Sequence, residues 1–264
     1  MIPTLATLGL SSMASQATLI ATDNFDYADG SVAGLSGGSG WNYERTDEPG
    51  APAQSASDWD NAFGDVQIVS SALVTNGNGA VREFGGATEG VGATNEAEGA
   101  FRAEGALFFS TTMMVDAMLP DGENQWAGVS SYDFGTERLF FGMPGQNTET
   151  RFFGIAADGD VFGTIPVIAG TTYTIVGMLD FDNDLVGLWV NPDGTDNATS
   201  YDVSKTYLGT NWSSALRLAS GTTTTWDDLN VGTTFADVAP VPEPSTLALA
   251  FAATGLLLRR RRSI

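Results

Sequence analysis

Histidine and cysteine are both absent from the sequence. Without histidine, the chain has no imidazole general base, no Ser-His-Asp triad and no histidine ligand for zinc. Without cysteine, it has no thiol nucleophile, no disulfide and no iron–sulfur cluster. The chemistry left to this protein is that of carboxylates and aromatic rings.

Basic residues are scarce: 11 Lys+Arg stand against 32 Asp+Glu, which gives a net charge of -21 over 264 residues. Nucleic-acid binding needs basic patches that neutralise phosphates, so this balance argues against a nucleic-acid partner. An acidic surface is typical of a soluble extracellular protein, or of one that meets divalent cations.

Helical periodicity is missing between residues 18 and 240, and the chain contains 32 glycines. Apolar runs of strand length recur there, bounded by Gly, Asn, Asp and Pro, and they predict one all-β domain built as a two-sheet antiparallel sandwich. The predicted strands are 66–69, 80–84, 108–119, 125–132, 137–143, 151–156, 161–162, 171–181, 185–191, 215–219 and 223–231.

Segment 171–181 is apolar on both of its faces. One face carries Tyr173, Ile175, Leu179 and Phe181, and the other carries Val176 and Met178. Because alternate residues of a strand point to opposite sides, this strand is expected to be covered on both.

The C-terminal segment, 241–264, has three parts. A proline-rich spacer with Pro242, Glu243 and Pro244 precedes the apolar run 247–258, and Arg259, Arg260, Arg261 and Arg262 follow it. An arginine cluster after an apolar helix is expected to stay on the cytoplasmic side of a membrane. Twelve helical residues rise only about 18 Å, against a hydrocarbon core of about 30 Å.

This three-part tail resembles the PEP-CTERM sorting signal of Gram-negative bacteria that make exopolysaccharide. The resemblance implies export by the Sec machinery, transient insertion into the inner membrane and cleavage by an exosortase near the Pro-Glu-Pro motif. The protein would then reach the cell surface or the extracellular polysaccharide matrix of a biofilm.

The N-terminal segment 1–17 is predicted to be a secretory signal peptide. It combines a modest apolar run, 5–10, with the small-x-small site Ser15-Gln16-Ala17, although no Lys or Arg precedes that run. Removing both ends takes away four arginines and Glu243. The ectodomain, 18–240, keeps 7 basic and 31 acidic residues, a net charge of -24.

Three short segments of the ectodomain, 23–27, 179–192 and 226–231, resemble concanavalin A-like (LamG-like) jelly rolls. The span from about 22 to 238 fits that family in order and spacing. The resemblance implies two antiparallel sheets, a concave face that binds carbohydrate and a structural Ca²⁺.

One candidate calcium site is Asp180, Asp182 and Asp184, whose D-x-D-x-D spacing could surround a hard cation. An EF-hand is excluded, because Leu185 replaces its glycine and Asn191 its final glutamate. The alternative is a solvated acidic turn between two strands.

A second candidate calcium site joins the two ends of the ectodomain. The jelly-roll resemblance implies that Asp23 or Asp26, on the first strand, shares Ca²⁺ with Asp227 or Asp228, on the last. The alternative is ordinary surface aspartate.

Sugars stack on exposed aromatic faces, and six aromatic side chains are available as platforms. Trp59 lies between two aspartates and Trp126 follows Asn124 and Gln125, so both are predicted at a carbohydrate-binding surface, whereas Trp189 is predicted in the core. The six candidates are Trp41, Trp59, Trp126, Tyr132, Trp212 and Trp226.

The sequence therefore predicts an exported, non-catalytic surface or matrix protein with lectin-like contact to polysaccharide. A jelly-roll glycoside hydrolase is one alternative, since two carboxylates suffice for that chemistry, but the E-x-D-x-x-E strand motif of jelly-roll glucanases is absent. The G-x-S-x-G match at 34–38 has no histidine to act with and is expected to be a loop. A structural matrix protein without a ligand is the other alternative.

Overall fold

The structure is a computed structural model that describes residues 19–41, 58–83, 101–102, 105–133, 136–207, 212–213 and 215–239. The predicted signal peptide, 1–17, and the predicted sorting signal, 241–264, lie outside the described residues. Within the described ranges, no helix is long and apolar enough to cross a membrane.

Strands dominate the described part of the chain, and one short helix, α1 (Phe235–Val238), follows the last of them. The strands are β1 (Leu19–Asp23), β2 (Gly30–Ser31), β3 (Asp60–Phe63), β4 (Gln67–Ile68), β5 (Leu73–Thr75), β6 (Asn78–Glu83), β7 (Phe101–Arg102), β8 (Ala106–Val115), β9 (Gln125–Asp133), β10 (Thr136–Gln146), β11 (Phe152–Ala157), β12 (Gly159–Pro166), β13 (Thr172–Asp180), β14 (Leu185–Val190), β15 (Val203–Thr206), β16 (Trp212–Ser213), β17 (Ala215–Ser220) and β18 (Thr224–Gly232). All of their described pairings are antiparallel.

Two sheets form a sandwich, which confirms the predicted fold class. The nine-stranded sheet has the order β15-β14-β13-β8-β18-β5-β4-β2, with β1 also paired to β18. The seven-stranded sheet has the order β12-β11-β10-β9-β17-β6-β3, and β16 and β7 form a small ribbon.

The core between the sheets is built from the inward side chains of both. Phe109 of the nine-stranded sheet meets Phe141 of the seven-stranded sheet edge to face, with ring centres 5.2 Å apart. Phe153 and Tyr173 make a second such contact at 4.9 Å. These pairs combine apolar burial with the favoured edge-to-face geometry of aromatic rings.

A second apolar cluster covers the outer face of the nine-stranded sheet. Val176 and Met178 of β13 lie in it with Trp189, beneath Phe235 of α1. The rings of Trp189 and Phe235 are 4.9 Å apart, and Trp189 is fully buried. The predictions that segment 171–181 is covered on both faces and that Trp189 lies in the core are therefore confirmed.

A buried ion pair joins the two sheets. Arg82 of β6 and Asp23 of β1 are 2.5 Å apart, and neither side chain is more than 1% exposed. The Asp23 carboxylate also accepts hydrogen bonds from the Phe25 amide (2.9 Å), the Tyr27 hydroxyl (2.6 Å) and Trp59 Nε1 (2.8 Å). Each donor helps to hold a carboxylate that burial would otherwise destabilise.

Burial in this cluster shifts the pKa values of Arg82 and Tyr27, which both contact Asp23. Burial lowers the pKa of Arg82, against the opposing effect of Asp23. Burial also raises the pKa of Tyr27, and its hydrogen bond to Asp23 adds to that rise. Both directions show how far this cluster is removed from water.

Replacing Arg82 with Met is expected to lower the free energy of unfolding by about 3–5 kcal/mol, because Asp23 is left buried without its cation. Urea denaturation measures the loss. The control is the double variant Asp23→Asn/Arg82→Met, which should be more stable than Arg82→Met alone. Equal losses in the two variants would contradict the electrostatic explanation and leave lost packing as the cause.

Candidate functional site

A row of small residues crosses the outer face of the seven-stranded sheet. Strand by strand from β12 to β3, the register places opposite one another Phe162, Gly154, Gly142, Gly128, Ala219, Gly79 and Phe63. Five consecutive strands thus contribute a small residue, with a phenylalanine on each edge strand.

Aromatic rings lean over the glycines of this row. A Cβ added to Gly79 would lie 3.0 Å from the ring of Phe63, and one added to Gly128 would lie 2.5 Å from the ring of Phe140. The glycines therefore allow the rings to cover the backbone, a packing arrangement that a β-carbon would block.

Trp126 lies within contact range of two of these rings. Its ring centre is 6.1 Å from that of Phe140 and 6.3 Å from that of Phe63. Phe140 is mostly buried, Trp126 is half-buried and Phe63 is 37% exposed. We call Phe63, Trp126 and Phe140 the aromatic platform.

Arg217 extends the platform on the β17 side. Its guanidinium lies 5.5 Å from the ring centre of Phe63 and 5.1 Å from that of Tyr132. It pairs with Glu137 at 2.8 Å and donates to Ser130 Oγ at 3.0 Å, and also to the Tyr132 hydroxyl. Burial raises the pKa of Tyr132, although Arg217 opposes that rise. Cation–π contacts and hydrogen bonds together fix these side chains.

A shallow depression of about 320 Å³ adjoins the platform at Phe140. Its lining combines apolar and charged residues: Glu137, Arg138, Leu139, Phe140, Ala156, Ala157 and Asp158. The turn between β11 and β12 borders this depression. Lys205, on β15 of the opposite sheet, donates to the turn's Asp158 carbonyl (2.8 Å) and Gly159 carbonyl. Carboxylates and one arginine thus stand beside an aromatic floor.

The structure places the two predicted tryptophans differently. Trp126 lies on the platform, whereas Trp59 is 1% exposed and donates to Asp23 in the core, so the prediction of an exposed Trp59 is wrong. Its charged neighbour Asp60 begins β3 and pairs with Val81 on the outer face, and strand alternation turns Trp59 inward.

Of the other candidates, Trp41 and Trp226 are buried, and Tyr132 lies beside Arg217 on the outer face. The side chain of Trp212 lies outside the described residues. Phe63 and Phe140 were missed by the sequence reasoning. The signal available for Phe140 was strand alternation, which puts it on the opposite side of β10 from the buried Phe141.

The four aspartates predicted at the ends of the ectodomain do come near one another, because β1 pairs with β18 and Asp23 is opposite Leu229. Burial raises the pKa of Asp227, and Asp228, Asp26 and Asp23 add to the rise by repulsion. Asp23, however, is already bound by Arg82 and three other donors. Within the described ranges, no group of three acidic residues is arranged to hold a metal ion. Asp23 therefore does not fit the role of a calcium ligand here.

The other predicted calcium candidates lie in the hairpin turn between β13 and β14. Asp180 accepts hydrogen bonds from Asn183, from its amide at 3.1 Å and its Nδ2 at 2.8 Å. Asp182 is exposed, and the Asp184 carbonyl accepts from the Tyr207 amide at 2.7 Å. These residues therefore form the turn between the two strands, and calcium binding there stays a prediction.

No protein-family model and no curated protein matches this sequence. Among solved structures, it is similar to a sialidase (TM-score 0.44, 8% identity, 69% of this chain and 18% of that one) and a Trypanosoma rangeli sialidase mutant displaying trans-sialidase activity (0.41, 16%, 68% and 28%). It is also similar to the Emp47p carbohydrate recognition domain (0.44, 8%, 66% and 87%). The chain spans less than a third of the two sialidases. These likenesses concern the sandwich fold.

The raised pKa of Asp227 predicts that replacing this residue stabilises the protein, and that the stabilisation depends on pH. A raised pKa in the folded state means that ionised Asp227 destabilises the fold at neutral pH, and that the penalty disappears as the pH falls towards about 4. Asp227→Asn keeps the acceptor for the Asp228 amide (2.8 Å). Its Tm should rise at pH 7 by about 2 °C, and the difference should close in acid.

Calcium bound at Asp227 would give the opposite result. Excess Ca²⁺ would then raise the Tm of the native protein, and EDTA would lower it again. The Asp227→Asn variant would show no increase in Tm with Ca²⁺. Asp182→Asn, in the exposed hairpin turn, is the matched control for loss of one negative charge.

Proposed function

We propose that this protein is an exported, non-catalytic surface or matrix protein that contacts polysaccharide through the aromatic platform. The observation that carries the proposal is the contact of Trp126 with both Phe63 and Phe140 on the outer face of the seven-stranded sheet. In the described part of the chain, the second apolar cluster covers only the other sheet.

Sugar recognition fits the chemistry of this face. The C–H faces of a sugar ring pack on aromatic rings, while its hydroxyls bond to carboxylates and hydroxyls. Glu137 and Asp158, beside the platform, supply acceptors, and Tyr132 supplies a hydroxyl. Because the depression is shallow, each contact is weak, and stable attachment comes from many copies on one polymer.

Export by the Sec machinery and sorting by an exosortase are part of the proposal, supported by the sequence of segments 1–17 and 241–264. The helix α1, which directly precedes the sorting segment, packs on the outer face of the nine-stranded sheet. The platform lies on the opposite face of the sandwich. A protein held at its C-terminal side would therefore present the platform outward.

Hydrolysis is the second candidate, and it rests on Glu137 and Asp158 facing the same depression. Glu137 is bound by Arg217 and Ser130, which suits a fixed acceptor better than a proton donor. We expect the protein to release no reducing sugar from the polysaccharides that it binds. Release that is lost in Glu137→Gln would support the hydrolase instead.

Trp126→Ala is expected to weaken retention on soluble polysaccharides about tenfold or more, because the central ring of the platform is lost. Affinity electrophoresis against a panel of neutral polysaccharides measures this change. The control is Ile168→Ala, which removes a 56% exposed apolar side chain from the loop between β12 and β13.

Both variants should fold, as urea denaturation can verify. Equal retention of native protein and Trp126→Ala on a bound polysaccharide would contradict the platform as the contact surface. A complete lack of retention on the whole panel would leave the structural matrix role.

Export can be tested in a Gram-negative host that encodes an exosortase. Mass spectrometry of the mature protein should find an N-terminus after Ala17 and a chain that ends near Pro242-Glu243-Pro244. Replacing Arg259 to Arg262 with alanine should leave the tail intact and the protein in the inner membrane. An exported protein that still begins at Met1 and ends at Ile264 would contradict both processing steps.

A further inference from the structure

We infer that the aromatic platform selects an uncharged polysaccharide, bound along its length, and rejects chains that carry carboxylates or sulfates. This inference rests on the proposed carbohydrate contact and names its ligand class. It is drawn from the charges that border the platform and from the openness of the face.

Acidic residues stand at both ends of the cross-strand row beside the platform. The register runs from Asp160 on β12, through Phe140 and Arg217, to Asp60 on β3. Asp160 and Asp60 are both exposed. A chain lying across the strands would therefore pass a negative charge at each edge of the sheet.

The next row adds further negative charge. Glu137 and Glu83 lie in it, and burial together with repulsion from Asp60 raises the pKa of Glu83. Among the described residues of this face, five acids stand against two arginines. The acids are Asp60, Glu83, Glu137, Asp158 and Asp160, and the bases are Arg138 and Arg217.

The arginine nearest to the platform is already engaged. Arg217 is only 11% exposed and forms an ion pair with Glu137. A uronate or sulfate bound here would lose part of its hydration and meet more acids than guanidinium groups, because Arg217 is paired and Arg138, at the depression, is the other arginine of this face. Sugar hydroxyls, in contrast, are hydrogen-bond donors, and Glu137 and Asp158, which line the depression, are strong acceptors for them.

The shape of the face favours an internal stretch of polymer over a chain end. The three rings of the platform come from β3, β9 and β10, with the Trp126 ring centre about 6 Å from each of the other two, and Phe162, 42% exposed, lies at the far edge of the sheet. The adjoining depression is open, with no enclosed pocket at this position in the described residues to surround a terminal sugar.

The test pairs neutral polymers with charged forms of the same backbone. Affinity electrophoresis of the full chain uses hydroxyethyl cellulose, laminarin, xylan and galactomannan, each beside its carboxymethylated derivative, in EDTA and again with Ca²⁺. Retention of a neutral member about tenfold stronger than that of its charged partner is expected, with the ratio shrinking as salt increases. Hydrolysed, short chains of the bound polymer should compete poorly.

Charge reversal then tests the named residues. Asp60→Lys/Asp160→Lys should improve retention of the carboxymethylated polymer several-fold and leave the neutral one within about twofold. The control, Asp116→Lys/Asp182→Lys, changes the net charge equally at exposed positions away from the platform, directly after β8 and in the turn between β13 and β14.

Each remaining outcome has a defined meaning. Equal or stronger retention of the charged polymer, with or without Ca²⁺, overturns this inference while the proposed carbohydrate contact stands. An equal response of the control and the face variant shows a global charge effect and overturns the role of Asp60 and Asp160. A lack of retention on any polymer overturns both the inference and the proposed function.

Discussion

The contact between Asp23 and Arg82 determines the position of much else in this protein. A buried carboxylate requires a cation and further donors, and the chain supplies them from separate segments. Arg82 brings β6 of the seven-stranded sheet to β1 of the other sheet, and Trp59 donates to the same carboxylate. Since β3 begins directly after Trp59, this bond also fixes the edge strand that carries Phe63. One end of the exposed platform is thereby tied to a charge pair in the core.

The glycine row imposes a second constraint, on the outer face. A β-carbon beneath Phe63 or Phe140 would crowd the ring, and glycine at positions 79 and 128 removes that obstacle. Glycine weakens a strand, because it loses more conformational entropy on folding than other residues and has no side chain to pack. Here the covering rings replace that lost packing, so the face gains an aromatic surface without losing its order.

Much of the fold could be predicted from the sequence, because strand alternation is local. The hairpin of β13 and β14, its acidic turn and the double coverage of β13 all follow from residues 171–191 read in order. Trp59 was misjudged because its aspartate neighbours indicate exposure, whereas alternation turns every second side chain inward. The platform could not be predicted, because its glycines become neighbours only through the register of distant strands. The pairing of Asp23 with Arg82 likewise depends on two segments that are far apart in sequence.

A partly exposed aromatic surface and a strongly acidic chain are complementary features. Apolar patches on a sheet face favour association between copies, and a net charge of -21 opposes it. On this face the acids stand at the edges, at Asp60 and Asp160, while the rings lie between them. Two copies that meet face to face would bring like charges together at both edges. A neutral polymer brings no such charge, so an arrangement that opposes self-association would not oppose the neutral polysaccharide that we propose as the ligand.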